Sequence, residues 1–89
     1  SAEKKHFFIE NRNNLIKLMT NVDPILDDLL EKKLLVQEQY DLVRKKVTSQ
    51  DQMRGLFDYV RSWGHKDNDK FLGILRKHNR NVIKNLMEK

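Results

Sequence analysis

Asn21-Val22-Asp23-Pro24-Ile25-Leu26-Asp27-Asp28-Leu29-Leu30 is the stretch that organises the rest of the chain. Asp23 can cap the free N–H groups of a helix start, and Pro24 suits the first helical position, whose N–H has no intrahelical partner anyway. Ile25, Leu26, Leu29 and Leu30 then recur at helical spacing, which predicts a short second helix with that stripe buried. A helix start at residue 23 makes the preceding residues a helix of their own. Phe8, Leu15, Met19 and Val22 fall near one face of it, and Phe7, Ile9, Ile16 and Leu18 widen that face. Ile9 and Ile16 lie off the main stripe, which predicts a bend around Asn11 to Asn14.

Downstream, Lys32, Lys33 and Leu34 close the second helix without a glycine. Val36, Tyr40, Val43 and Val47 recur at i, i+4, i+7 and i+11 and predict a third helix, with Arg44, Lys45 and Lys46 where positive charge suits a C-terminus. Ser49 and Gln52 have the S-x-x-Q form of a capping box ahead of Met53, Leu56, Phe57 and Val60, a fourth helix ending near Gly64. His65 to Asp69 reads as a polar connection, with Asp67 or Asp69 capping a fifth helix through Phe71, Leu72, Ile74 and Leu75. Asn79 or Asn81 opens a sixth through Val82, Ile83, Leu86 and Met87. The Phe and Leu stripes are assigned wholly to the core. Gly55 and Gly73 fall inside helices, where glycine costs about 1 kcal/mol relative to alanine, and close packing is the expected reason. The expected class is all-α, an antiparallel six-helix bundle in which short connections make sequential helices neighbours.

A chain of 89 residues with one proline and three glycines has room for a single modest core. Residues 6–89 are read as one domain and 1–5 as an N-terminal extension, with Ser1 to Glu3 compatible with a cloning remnant. The absence of cysteine removes disulfides, thiolate zinc sites and cysteine nucleophiles, and points to the cytoplasm. No apolar run approaches the roughly 20 residues of a membrane span. No nucleophile has a base beside it in sequence, His6, His65 and His78 are too dispersed for a local metal site, and the glycines never cluster into a phosphate loop. The expectation is a non-enzyme with no cofactor, metal or small-molecule substrate.

The net charge is +5, but it is segregated: residues 22–33 carry −2 and residues 65–89 carry +4. Alternating signs suit a domain that meets copies or relatives of itself, whereas uniformly basic arms are common in nucleic-acid binders. Arg76, Lys77, Arg80 and Lys84 in the basic end motivate the competing reading, a small helical nucleic-acid-binding module.

His6-Phe7 through Arg12, then Asn21 to Asp27, then Gln37-Glu38-Gln39-Tyr40 before Val43-Arg44, and Gln52-Met53-Arg54-Gly55-Leu56-Phe57 before Trp63, taken in order, resemble a caspase recruitment domain (CARD) of the death-domain superfamily. The pattern is nearest to the C-terminal CARD of the speck-forming inflammasome adapter and to NOD-like receptors that end in a CARD. The likeness is clear to Trp63 and weaker beyond. Val36 stands where a Ser or Thr cap is common, residues 31–35 look about one residue longer than in the adapter, and Gly55 follows the matched arginine where a basic residue is frequent.

The resemblance implies a six-helix Greek-key death fold with a bent first helix, and homotypic docking of a basic patch on helices one and four against an acidic patch on helices two and three. Arg12, Lys17 and Arg54 match the basic side. Asp23 and Asp27 match the acidic side, with Asp28 and Glu38 as outer members. Asp23 is also a candidate helix cap, and Asp27 and Asp28 also suit a helix N-terminus. Asn21, Arg44, Tyr59 and Trp63 are secondary interface candidates, and Trp63 equally suits the core. The implied partners are other CARDs, including copies of this chain, an inflammasome adapter and inflammatory procaspases. The implied output is a filament acting in innate immune or cell-death signalling.

Overall fold

The computed structural model describes residues 2–88, with side chains from Lys5 to Glu88. Ser1, in the expected extension, and Lys89, at the end of the expected domain, lie outside the described residues. Helix α1 spans Ala2–Leu18, taking in the rest of the extension, and is followed by α2 (Asp23–Glu31), α3 (Gln37–Arg44), α4 (Ser49–Val60), α5 (His65–His78) and α6 (Arg80–Met87). No strand occurs among the described residues.

Helix α1 is unbroken across Asn11 to Asn14. Asn11 is buried, and its Nδ2 donates to the Phe7 carbonyl at 2.9 Å, so a polar residue on the inner face is satisfied without interrupting the helix. Phe8, Leu15 and Ile16 are buried, but Ile9 is 67% exposed and Leu18 46%, which corrects their assignment to the inner face. The partners of α1 cover only one side of it.

Helix α2 buries Ile25, Leu26 and Leu29 beside Pro24, as the patterning predicts. Its N-cap is Val22, whose carbonyl accepts from Leu26 N–H at 3.0 Å, so Asp23 already stands in the first turn and does not cap. Its C-terminus solves the missing glycine in another way. Lys33 adopts φ 63, its N–H donates to the Leu30 carbonyl at 3.0 Å, and Leu34 N–H donates to Leu29 at 2.9 Å. That pair of bonds is a Schellman closure, normally built on glycine, and buried Leu34 and Leu29 supply its usual apolar contact.

Helix α3 is only two turns long. It ends before the fourth member of its expected stripe, so Val47 is 95% exposed, and Val36, at the N-cap, is 61% exposed. Only Val43 of that stripe is fully buried, Leu42 is 49% exposed, and Leu34 and Leu35 from the preceding corner fill the space instead. Gln39 Oε1 accepts from Val36 N–H at 3.1 Å, half of a capping box, since valine has no side-chain acceptor to complete it.

Thr48, not Ser49, caps α4: its Oγ1 accepts from Asp51 N–H at 3.0 Å, while Gln52 reaches back to the Lys46 carbonyl at 3.4 Å. The expected connection at His65 to Asp69 is helical, because Gly64 is extended and its carbonyl accepts from Asn68 N–H, starting α5 there. Asn79 flanks α6 as expected. A Cβ on Gly55 would lie 2.7 Å from Lys46 Cε, the far end of an exposed flexible side chain that can move aside, and Gly73 has nothing within 4 Å, so close helix packing explains neither glycine.

The packing is only partly sequential. Helix α1 lies against α4, α5 and α6, α2 against α3 and α5, α3 against α4, and α5 against α6. The sequential pairs α2 and α3, α3 and α4, and α5 and α6 are neighbours as expected, while the contacts of α1 with α4 and α5 and of α2 with α5 join helices distant in sequence, which suits Greek-key connectivity. Phe71 of α5 sits at the centre, fully buried. The Phe8 ring stacks on it at 4.8 Å, and Phe57 and Trp63 meet it edge to face at 6.1 and 5.4 Å.

Phe71→Ala is expected to cost about 3–5 kcal/mol in urea unfolding, enough to leave a domain this small largely unfolded. A loss under about 1 kcal/mol would mean that the aromatic cluster closes up without its central ring. Lys33→Gly is expected to raise stability by about 0.5–1 kcal/mol, because glycine occupies the left-handed region without a Cβ clash. An unchanged or lower denaturation midpoint would contradict that account.

Candidate functional site

Helices α2 and α3 pack together and carry the acidic residues named from the sequence. Asp27 Oδ1 accepts from the Tyr40 hydroxyl at 2.5 Å, Arg44 Nη1 donates to the same hydroxyl oxygen at 2.7 Å, and Arg44 Nε lies 3.4 Å from Asp23. The Arg44 guanidinium also sits 5.6 Å from the centre of the Tyr40 ring. Donating to Asp27 pushes the Tyr40 hydroxyl pKa up, and the hydrogen bond to Tyr40, with Asp23 nearby, pushes Arg44 up.

Two acids, one arginine and one tyrosine thus make a cross-helix cluster. Its surface is acidic but internally half neutralised. The sequence reading named Arg44 only as a secondary interface candidate, apart from the acids, and did not identify Tyr40 as their link; the Tyr40–Arg44 spacing of four was the available signal. Glu38 is exposed on α3 and makes no ion pair among the described residues, so its charge is fully presented. Asp41, exposed nearby, accepts from Gln37 Nε2 at 3.0 Å. Asn21 is exposed at the α1–α2 corner with φ 53, a left-handed conformation that asparagine tolerates.

Asp28 does not join this surface. Its side chain is 19% exposed and faces α5, with Oδ2 2.6 Å from His78 Nε2 and 3.3 Å from Lys77 Nζ. Its role as an outer member of the acidic patch is therefore corrected: a helical step of about 100° separates it from Asp27 and turns it inward against the next helix.

On the opposite chemistry, α1 and α4 pack together. Arg12 is half-buried with its guanidinium 5.9 Å from the Phe57 ring centre, so it bridges the two helices. Arg54 is exposed and bonded to Asp51 at 2.8 Å one turn earlier. Lys17 is exposed, but five positions beyond Arg12 it lies about 140° further round the helix and does not share Arg12's face.

Lys5, seven residues before Arg12, and Arg61, seven after Arg54, fall on the same helical faces as those arginines. Lys5, Arg12 and Arg61 line one groove of about 480 Å³ between α1, α4 and the start of α5. Sequence reasoning missed Lys5 and Arg61, although the seven-residue spacing was visible. Tyr59 is half-buried against the core. Trp63 is 8% exposed and edge-on to Phe71, which settles its alternative in favour of the core and leaves little of it for a partner.

In the basic C-terminal region Arg76, Arg80 and Lys84 gather at one surface pocket beside Met87 and Glu88. Lys77 is engaged with Asp28, and Arg76 Nη2 lies 3.2 Å from the Met87 sulfur. Among the described residues no group of three or more His, Asp or Glu side chains is placed to hold a metal, and no helix is long and apolar enough to cross a membrane.

The family model described as caspase recruitment domain matches residues 5–89. The chain is also similar to "NACHT, LRR and PYD domains-containing protein 1a" of Mus musculus, 36% identical over 84 residues. It is 38% identical over 84 residues to "NACHT, LRR and PYD domains-containing protein 1b allele 3" of Mus musculus, and 39% over 84 residues to "NACHT, LRR and PYD domains-containing protein 1a allele 1" of Rattus norvegicus. Each match takes in 94% of this chain but only 7% of the relative.

The Asp28 contact makes one consequence of pH explicit. The hydrogen bond from His78 first, and Lys77 second, hold the Asp28 carboxyl below its ordinary value of 3.8. A carboxylate lowered by folding adds stability above its unfolded pKa and loses it as pH falls through the folded value. Asp28→Asn is therefore expected to destabilise by about 1–2 kcal/mol at pH 5, with the gap from the parent closing below about pH 3.8. Parallel urea titrations from pH 6 to 3 check this; a gap that persists unchanged at the acid end contradicts a charge-dependent contact.

Proposed function

The chain belongs to the caspase recruitment domain (CARD) family, and from that premise we propose that it docks head to tail with copies of itself into helical filaments and recruits partner CARDs. Domains of this family mediate homotypic interactions in innate immune and cell-death signalling and are not enzymes. The partners we propose are the CARD of an inflammasome adapter or of an inflammatory procaspase, met in the cytoplasm, where a chain free of cysteine is at home.

One observation carries the reading: α2 and α3 carry an excess of acids, while basic side chains of α1 and α4 stand on another side of the domain, partly offset there by Asp51 and Asp58. Asp23, Asp27 and Glu38 lie on α2 and α3, while Arg12 and Arg54 lie on α1 and α4. Surfaces of opposite sign on one subunit favour a contact in which one face meets a different face of the neighbour. Such a heterologous contact propagates without limit when its rotation does not close. The charges steer encounter and reject wrong partners more than they hold the assembly together. The nucleic-acid reading rests on Arg76, Arg80 and Lys84 alone, since Lys77 is paired with Asp28, and Glu88 stands in the same pocket as those three.

Asp27→Lys and Arg12→Glu are each expected to abolish filaments seen by electron microscopy near physiological salt, while circular dichroism stays helical. Because Arg12 and Asp27 also contact neighbours in the fold, the exposed pair Lys5→Glu and Glu38→Lys, each made singly, serves as a milder second test. Parent-like filaments from a folded protein carrying Asp27→Lys alone, or Arg12→Glu alone, would sink the proposed interface.

A further inference from the structure

The charged faces leave two exposed apolar features unexplained, and they lie on the two surfaces the proposed assembly brings together. On the basic side, the groove between α1, α4 and α5 has Phe8, Phe57 and Val60 among its lining residues, and Ile9 stands at it 67% exposed. Its charged lining is Lys5, Arg12 and Arg61 against the single acid Asp58. An apolar cleft with three cations around it selects an occupant that is apolar at the tip and acidic beside it.

The acidic side of the same chain presents such a feature. Leu42 of α3 is 49% exposed; Asp41 precedes it, and Glu38, also exposed, stands one helical turn earlier on the same face. Outside the groove, the other exposed apolar residues fit less well: Leu18 follows Lys17, and the Met87 sulfur lies 3.2 Å from Arg76. Val47, 95% exposed, follows Lys45 and Lys46, whose charges would meet the cationic rim, and Val36 sits at a helix start just beyond Lys32 and Lys33.

We infer that the groove receives Leu42 of a second copy of this chain, with Glu38 and Asp41 of that copy facing Lys5, Arg12 and Arg61. This rests on the head-to-tail assembly proposed above and adds to it the apolar contact that holds the interface. Long-range charge brings the faces together, and burial of Leu42 against Ile9 and Phe57 slows their separation.

The chain has no cysteine, so single cysteines report position cleanly. Ile9→Cys and Leu42→Cys proteins, mixed, assembled and treated with a short bis-maleimide, are expected to give a cross-linked dimer that neither protein gives alone. Leu42→Ser and Ile9→Ser are each expected to raise the critical concentration for assembly about fivefold, since each removes a half-buried aliphatic contact. The two together should raise it little further, because both remove the same contact.

If the parent assembles but no mixed cross-link forms and both serine variants assemble as the parent does, the groove inference falls and the charge-directed assembly stands. If the double variant shows the product of two single effects, Ile9 and Leu42 lie in separate contacts and the inference falls likewise. Stoichiometric laurate binding to the assembled protein would leave the groove open to a small amphiphilic anion and overturn the inference. If the parent does not assemble at all, both the inference and the assembly reading fall.

Discussion

The structure depends on the enclosure of Phe71. A chain of this length has one core, and the ring at its centre is met by Phe8 from α1, Phe57 from α4 and Trp63 from the turn that follows. Each of those elements must turn one fixed face inward for the rings to meet. The direction in which every charged residue of α1, α4 and α5 points follows from that choice. Arg12 illustrates it: Phe8 is buried, and Arg12, four positions on, lies just outside it with its guanidinium near the face of Phe57. The aromatic core and the basic face are two sides of one helical register.

Helix α2 is held by a different means. It buries Ile25, Leu26 and Leu29, and its polar flank is then shared between two neighbours by consecutive aspartates. Asp27 turns to Tyr40 of α3, where Arg44 joins Asp23, and Asp28 turns to His78 and Lys77 of α5. Isolated exposed ion pairs contribute little to stability, so the open contacts around Arg44 matter chiefly for where they hold the charges. The hydrogen bond from His78 lowers the Asp28 carboxyl pKa despite the opposing effect of burial. Adjacent residues of like chemistry therefore divide into one that shapes the surface and one that joins helices.

Much of this was legible in the sequence. The apolar stripes of α2, α4, α5 and α6, apart from half-buried Leu30 and Val82 and the 46% exposed Met87, come from local spacing, as does the helix start at Pro24. What was not legible depended on where helices stop and on which side a neighbour lies. Val47 reads as a core residue only if α3 continues beyond Arg44, and Ile9 only if a second helix covers its side of α1. Thr48 and Ser49 are both acceptable caps in sequence, and only the backbone decides between them. Asp27 and Asp28 are indistinguishable by type, so their separate partners required the position of α5. Trp63 suited core and interface equally until Phe71 was found beneath it.

The segregated charge and the exposed aliphatic residues answer different requirements of a docking module. Surface charges act over about a Debye length, roughly 8 Å at physiological salt, and favour approach in the correct orientation, yet each exposed pair adds little to the final contact. Apolar burial has no such reach, but it grows with the area removed from water and is not screened by salt. A chain this small cannot set aside a large hydrophobic face for partners, because that surface is needed for its own core. In the proposed assembly, single exposed aliphatic residues such as Ile9 and Leu42 would supply an apolar contact without a large hydrophobic face. The sign of the neighbouring charge then determines which copy, and which face of it, an exposed leucine can meet.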